Sequence, residues 1–403
     1  MTKLLFLLLP AFIFAKSFMI SDIPLPKVYI QNLDTQECDD ACLQEFLDKE
    51  KIFSFISHAN SKLDDTMLDE ARVLNISILN IGAPRNEGVV KIALLLPYKK
   101  IGKYAASTTN AAFAYMMTKN HPFELKSYKV QSESEGELRQ AIQRIQNDGF
   151  SHVIAPLTLD GVKSIITINP SLHVYFPTIN KSDVRSDSRF LYFGGIDYKL
   201  QSDILLTQAP TSLTIFSDNS QTGKKVTSYQ EQSFNESTQG YKRSVRKYFV
   251  SPRTTNFENI LRGNGSIRGG SVFINTPIIK SGMIMSQLTL HNVKPKVILS
   301  TQINYDPLLL SMTQYTDRKN MIIANSITQQ NNVLIETNAL IGNDIVYDWI
   351  NYTTTVGMDY FYSELTGEDK EYTIAMRERQ MHYKVELFKA SHSQFTPYSD
   401  LRE

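Results

Sequence analysis

Few residues of this chain have the types and spacing for chemistry, and most of those sit in loops that follow apolar runs. "KIALLLPYKKIGKYAASTTNAAFAYMM" begins at Lys91. It reads as a buried strand, a proline, a basic loop and a helix of small residues. Strands that feed helices in this way place ligands at the strand's carboxyl end. Tyr98, Lys99 and Lys100 are the first cleft candidates, with side chains suited to an anion. "APLTLDG" supplies the second group: Thr158 can donate a hydrogen bond, and Asp160 carries a carboxylate at a helix start. Free N–H groups at a helix start favour an anion, so Asp160 is expected to compete with an anionic ligand there.

Catalytic signatures are missing. The sequence has no G-x-S-x-G elbow and no H-E-x-x-H. "RGNGSIRGG" lacks the Lys-Ser or Lys-Thr of a phosphate loop and reads as a plain loop. His382 and Glu386 would share a strand face near His392, but without a third ligand they read as a wet face. "DDTMLDE" lacks the glycine and ligand spacing of a calcium loop. No catalytic residue, metal or cofactor is expected.

Cys38 and Cys42 are the only cysteines, in "ECDDACLQEF". One helical turn puts their Cα atoms about 6 Å apart, within disulfide reach. The pair reads as a local staple at a helix start. Redox sites favour two intervening residues, and the adjacent aspartates would raise a thiol pKa. Metal binding by two cysteines without a nearby His is the weakest alternative.

The elements that must position these groups follow from periodicity. Met1 to Ser17 holds one Lys ahead of an apolar run from Leu4 to Phe14, and then Ala15 and Lys16. That run is shorter than the roughly 20 residues of a membrane span and has the form of a cleavable secretory signal. Residues 1–15 are therefore expected to be removed, leaving a soluble, exported chain in the periplasm. Residues 16–80 are expected to form a helical hairpin, with Leu43, Phe46, Leu47, Phe53, Phe55 and Ile56 as one apolar set and a break near Asn60. "IGAPRNEG" reads as a linker.

From Lys91 short strands alternate with helices, the pattern of a parallel sheet. "SEGELRQAIQRIQNDGF" has Ser134 and Glu137 at capping-box spacing, and Gly149 stops the helix. A second series of the same kind starts after Pro210. Its Asp306 and Pro307 read as N-cap and first helical residue. A helix from about Asp344 to Leu365 is long enough to return to the first unit. Tyr383, Val385 and Leu387 alternate with polar neighbours, as in a strand with one wet face, followed by a hairpin. The expected division is 90–208 plus 331–403 for lobe 1 and 209–330 for lobe 2.

The chain has 403 residues and a net charge of +1. This length implies more than one core, and the dispersed charge argues against nucleic acid. Lys242 to Lys247, the densest basic stretch, alternates with Tyr241, Val245 and Tyr248 and reads as the solvated face of a strand.

The apolar leader, "KIALLLP" with its small-residue helix, "SHVIAPLTLDGVKSI", and "TTNFENIL" before "SVFINTP" together resemble the type I periplasmic-binding-protein fold. The likeness covers roughly Val90 to Tyr398. That family includes receptors for leucine-like amino acids and the C-terminal domain of LpoA-type activators of penicillin-binding proteins. The resemblance implies an α/β fold: two doubly wound lobes joined by crossing strands, with a cleft between them. Its amino-acid receptors hold a ligand carboxylate with small hydroxyl residues and helix N-termini. Tyr98, Lys99, Lys100 and Ile101 replace those small residues here. The expected function is a non-enzymatic accessory or scaffold protein that binds an envelope protein, such as a peptidoglycan synthase or a flagellar motor. The alternative is a solute receptor of an ABC importer for amino-acid-like or peptide ligands.

Overall fold

The computed structural model describes Ile30, Asn32 and residues 38–59, 61–79, 81, 88–209, 212–236, 244–328 and 330–398. The expected signal segment, Tyr241 to Arg243 and most of the expected linker lie outside the described residues. The chain divides into two compact units, Met1–Gly88 with Asn120–Pro122, and Val89–Lys119 with Phe123–Glu403.

Among the described residues, the first unit has three helices: α1 (Asp40–Asp48), α2 (Ile52–His58) and α3 (Thr66–Ile78). Asp39 caps α1 by accepting from the Cys42 N–H at 3.0 Å, and Asp65 caps α3 through the Leu68 N–H at 2.9 Å. Cys38 and Cys42 form the expected disulfide, with Cα atoms 5.3 Å apart. The expected first helix is broken in two at Lys49–Lys51, where Glu50 takes φ 53°. Its end is closed by the Lys51 N–H on the Phe46 carbonyl at 2.8 Å. The break turns Phe55 and Ile56 onto Leu43 and Leu68, leaving Phe53 64% exposed rather than in the apolar set.

The second unit begins with β1 (Val90–Leu96), α4 (Tyr98–Ile101), α5 (Tyr104–Met117) and β2 (Phe123–Lys129). Then come α6 (Glu135–Asn147), β3 (His152–Ile154), α7 (Leu159–Ile168), β4 (His173–Phe176) and β5 (Leu191–Phe193). The helix α8 (Tyr198–Leu206) leads to the second series: β6 (Leu213–Asp218), α9 (Gln221–Glu236), β7 (Val245–Val250) and α10 (Glu258–Leu261). It continues with β8 (Ser271–Asn275), α11 (Ile278–Leu290), β9 (Val297–Ser300), α12 (Pro307–Met312), α13 (Tyr315–Arg318) and β10 (Met321–Asn325). After α14 (Asn332–Leu340) and α15 (Trp349–Thr366) come β11 (Ala375–Arg377), β12 (Gln380–His382), β13 (Glu386–Ala390) and β14 (Phe395–Pro397).

The sheet orders are β11-β12-β5-β4-β3-β1-β2 and β14-β13-β10-β9-β8-β6-β7. The five parallel strands of each lobe follow one winding, which reverses direction between β1 and β3 and between β6 and β8. Those reversals are the switch points where open α/β sheets form crevices. The apolar run of β1 is buried on both faces. Ile92, Leu94 and Leu96 pack with Tyr115 and Phe361, while Ala93 and Leu95 pack with Leu138, Ile142 and Ile145. The long helix returns to the first lobe as expected, capped by Asp348 and stopped by Gly367 at φ 74°.

The C-terminal segment departs from the expected division. β12 pairs with β5 in the first sheet, whereas β13 pairs antiparallel with β10 in the second. Residues 386–397 thus extend lobe 2, and the expected single strand through Tyr383 to Leu387 is interrupted. Tyr383 donates its hydroxyl to the Gly194 carbonyl at 3.0 Å in lobe 1, and Leu387 registers against Ala324 in lobe 2. The alternating pattern runs through both, but each end has a different sheet as partner.

Candidate functional site

The expected cleft residues follow β1 and β3 of the first lobe, and of them Thr158 lines a cavity between the lobes. After β1 the basic stretch is one helical turn: Ile101 and Gly102 donate to the Pro97 and Tyr98 carbonyls at 3.1 and 2.9 Å. Tyr98, Lys99 and Lys100 are exposed on it. The Lys99 ammonium donates to Gln131 Oε1 at 2.9 Å, which ties it to the loop after β2.

The facing helix start belongs to α7, with Thr158 at its N-cap. The Thr158 N–H donates to Glu133 Oε1 at 2.7 Å, and its hydroxyl donates to Glu133 Oε2. Glu133 is only 8% exposed. The bare Cα of Gly161 makes room for it, since a Cβ there would lie 2.7 Å from the Glu133 carboxylate. Ser164 adds a hydrogen bond to the Glu133 carbonyl at 3.1 Å. A carboxylate of the chain itself therefore takes up two of the donors at this helix start and places a negative charge beside it. Asp160, expected in that role, points to solvent with 80% of its side chain exposed, 3.8 Å from Lys163. Glu133 carries no sequence signal of this role, because "SESEGELR" reads as an acidic helix start. Only the fold separates Glu133 from Glu137, which accepts from the Gln131 and Ser132 N–H groups.

Two cavities lie between the lobes. One, of about 370 Å³, reaches from Thr158 and Leu159 to Tyr198, Thr222 and Lys225. Lys225 on α9 forms an ion pair with Asp183, in the 3-10 turn after β4. The other, of about 300 Å³, is lined by Tyr104, Tyr198, Tyr305, Tyr347 and Trp349, with Asp306 and Asp348. Burial pushes the Tyr305 and Tyr198 phenols up to about 12, so both stay neutral near pH 7. Burial also raises Asp348, against the lowering effect of the N–H groups it caps. Neither lining includes a His or Cys.

The histidines weighed from sequence do not meet. His382 is exposed on β12, Glu386 lies on β13 of the other sheet, and His392 stacks on Tyr315 at 3.8 Å between ring centroids. His152, His173 and Glu364, by contrast, place their ligand atoms within 4.8 Å of one another. Distant in sequence, they left no motif to read.

No protein-family model and no curated protein sequence matches this chain. Solved structures do match. The leucine-binding protein LivK of Thermotoga maritima aligns at a TM-score of 0.56 and 13% identity, over 77% of this chain and 98% of that one. A putative branched-chain amino acid ABC transporter protein of Rhodospirillum rubrum aligns at 0.60 and 8% identity, over 77% and 100%. Haemophilus influenzae LpoA aligns at 0.52 and 9% identity, over 89% of this chain and 73% of that one. The chain has the two-lobed type I periplasmic-binding-protein-like fold.

Proposed function

We propose that this protein is a non-enzymatic accessory protein of the cell envelope that works by binding another protein. Its partner would be a peptidoglycan synthase or part of an envelope machine such as the flagellar motor. The observation that carries this reading is Glu133. Its carboxylate takes the Thr158 N–H and hydroxyl and sets a negative charge at that helix start, where it would repel a ligand carboxylate. The cleft is also bridged by Asp183 and Lys225. The fold is shared by ABC substrate-binding proteins and by LpoA, and both kinds of neighbour fit a binding role. The chain acts in the periplasm after residues 1–15 are removed. Sequencing of the exported form should therefore start near Lys16, and an intact Met1 in a membrane fraction would contradict it.

A thermal-shift screen of amino acids, short peptides and muropeptides tests the reading. A ligand at 100 times its Kd would stabilise the fold by about 2.7 kcal/mol. No amino acid at millimolar concentration should do so. A shift that Thr158→Ala abolishes would replace the scaffold reading with the receptor reading. One observation favours that second reading: the 300 Å³ aromatic cavity holds two aspartates and no Lys or Arg, a lining suited to a cationic or aromatic solute.

A further inference from the structure

At the end of the first sheet opposite the cleft, the interior strands β3 and β4 each begin with a histidine. His152 and His173 are register partners on these parallel strands, with ring centroids 4.6 Å apart. The last turn of α15 carries Glu364, whose carboxylate approaches a nitrogen of each ring. Glu364 Oε2 is 3.7 Å from His152 Nε2, and Oε1 is 3.5 Å from His173 Nδ1. These separations exceed the about 2.7–2.9 Å of a charge-assisted hydrogen bond. They approach the roughly 3.4 Å between two ligands held tetrahedrally at about 2.0–2.1 Å from one zinc ion.

A second observation points the same way. His152 is 6% exposed, and among the described residues its Nε2 has no hydrogen-bond partner. A buried polar atom left without a partner is costly, so it calls for an explanation. Its other nitrogen, Nδ1, lies 2.8 Å from the Ser151 hydroxyl, the outer contact that orients a metal-bound imidazole. His173 Nδ1 shares a hydrogen bond with the Tyr192 hydroxyl at 3.2 Å, a contact that a metal ion bound at Nδ1 would replace. Carbonyls at the end of α15 add partial negative charge. Arg379, over the Tyr192 ring at 5.0 Å, supplies the opposing charge at the rim. The side chains of His173 and Glu364 are 26% and 36% exposed, leaving an entry path from solvent.

We propose that His152, His173 and Glu364 form a binding site for a divalent transition-metal ion of the zinc type. Two imidazoles and a carboxylate are donors that such ions accept, and water completes the shell. The bound ion fixes the last turn of α15 to the starts of β3 and β4. The site does not depend on what the cleft binds.

The test uses the full exported chain without an affinity tag. Titration with Co2+, read by its visible ligand-field bands, should show one ion per chain displaced by Zn2+. X-ray absorption of the zinc form should show nitrogen and oxygen ligands only. Glu364→Gln and His173→Ala should each weaken binding at least tenfold, while His382→Ala leaves it unchanged. Circular dichroism melts establish that each variant is folded, and His173→Ala serves if Glu364→Gln is not. No stoichiometric binding by the wild type, sulfur ligation, or full affinity in a folded His173→Ala would each overturn the proposal.

Discussion

Glu133, Thr158 and Gly161 are a unit, and substitutions there should show it. Glu133→Ala leaves the Thr158 N–H and hydroxyl without their acceptor. Gly161→Ala pushes a Cβ to 2.7 Å from the same carboxylate. Each change should cost about 1–3 kcal/mol, read from denaturant midpoints. The double variant should fall short of the sum by at least about 0.5 kcal/mol, because removing Glu133 also removes the clash. Strict additivity would mean that Gly161 is small for another reason. Asp160→Ala, at an exposed site, should stay within about 0.5 kcal/mol of wild type.

At the level of elements, α15 is the helix most bound up with its surroundings. Asp359 on it is 1% exposed and accepts from the Tyr115 hydroxyl at 2.8 Å, the Glu371 N–H at 2.9 Å and the Tyr372 N–H at 3.1 Å. Burial nevertheless raises its pKa above the usual 3.8, with the two N–H groups and the phenol opposing. A raised carboxyl binds its proton earlier in the folded state than in the unfolded one. This contribution to stability therefore grows as pH falls through the folded pKa, and it stops growing below about 3.8. The stability of wild type relative to Asp359→Asn should accordingly rise on acidification over that window, measured as the difference between their denaturant curves. A falling or flat difference would mean the three donors outweigh burial. Gly357 sits on the same helix because Tyr175 lies against it: an added Cβ would come within 2.3 Å of the Tyr175 ring. Gly357→Ala should cost about 3 kcal/mol, since neither the helix nor the buried ring can give way.

For the whole molecule, the lobes and the N-terminal unit answer different probes. Replacing both Cys38 and Cys42 by Ser should leave the main cooperative melt of residues 89–398 in place. Only the short loop's contribution, about 2 kcal/mol or less, is lost. Loss of the main transition would show that the first unit is integral to the second. Between the lobes, Asp183 and Lys225 are joined across partly exposed surface, 13% and 32% of their side chains. Such a pair contributes about 1 kcal/mol or less. Lys225→Ala should thus leave the melting temperature nearly unchanged, while solution scattering shows a broader range of lobe separations. An unchanged scattering profile would mean that the lobes are held by other contacts.

What local periodicity governs was legible in the sequence. The doubly buried run of β1 could not sit at a surface, and α5 runs from Tyr104 to Met117 as its small-residue pattern predicts. The repeated strand–helix order sets the class of both lobes, because parallel strands need helical crossovers. Partnership was not legible, since it is decided by residues far apart along the chain. Tyr383 and Leu387 belong to one alternating stretch, yet hydrogen bonds to Gly194 hold the first in one lobe while Ala324 takes the second into the other. Glu133 looks like any acid before a helix until β2 and β3 stand on either side of β1. Its loop then lies against the start of α7, where two donors and the bare Cα of Gly161 receive it. His152, His173 and Glu364 have no common spacing. Strand register set the two rings side by side, and the packing of α15 supplied the carboxylate.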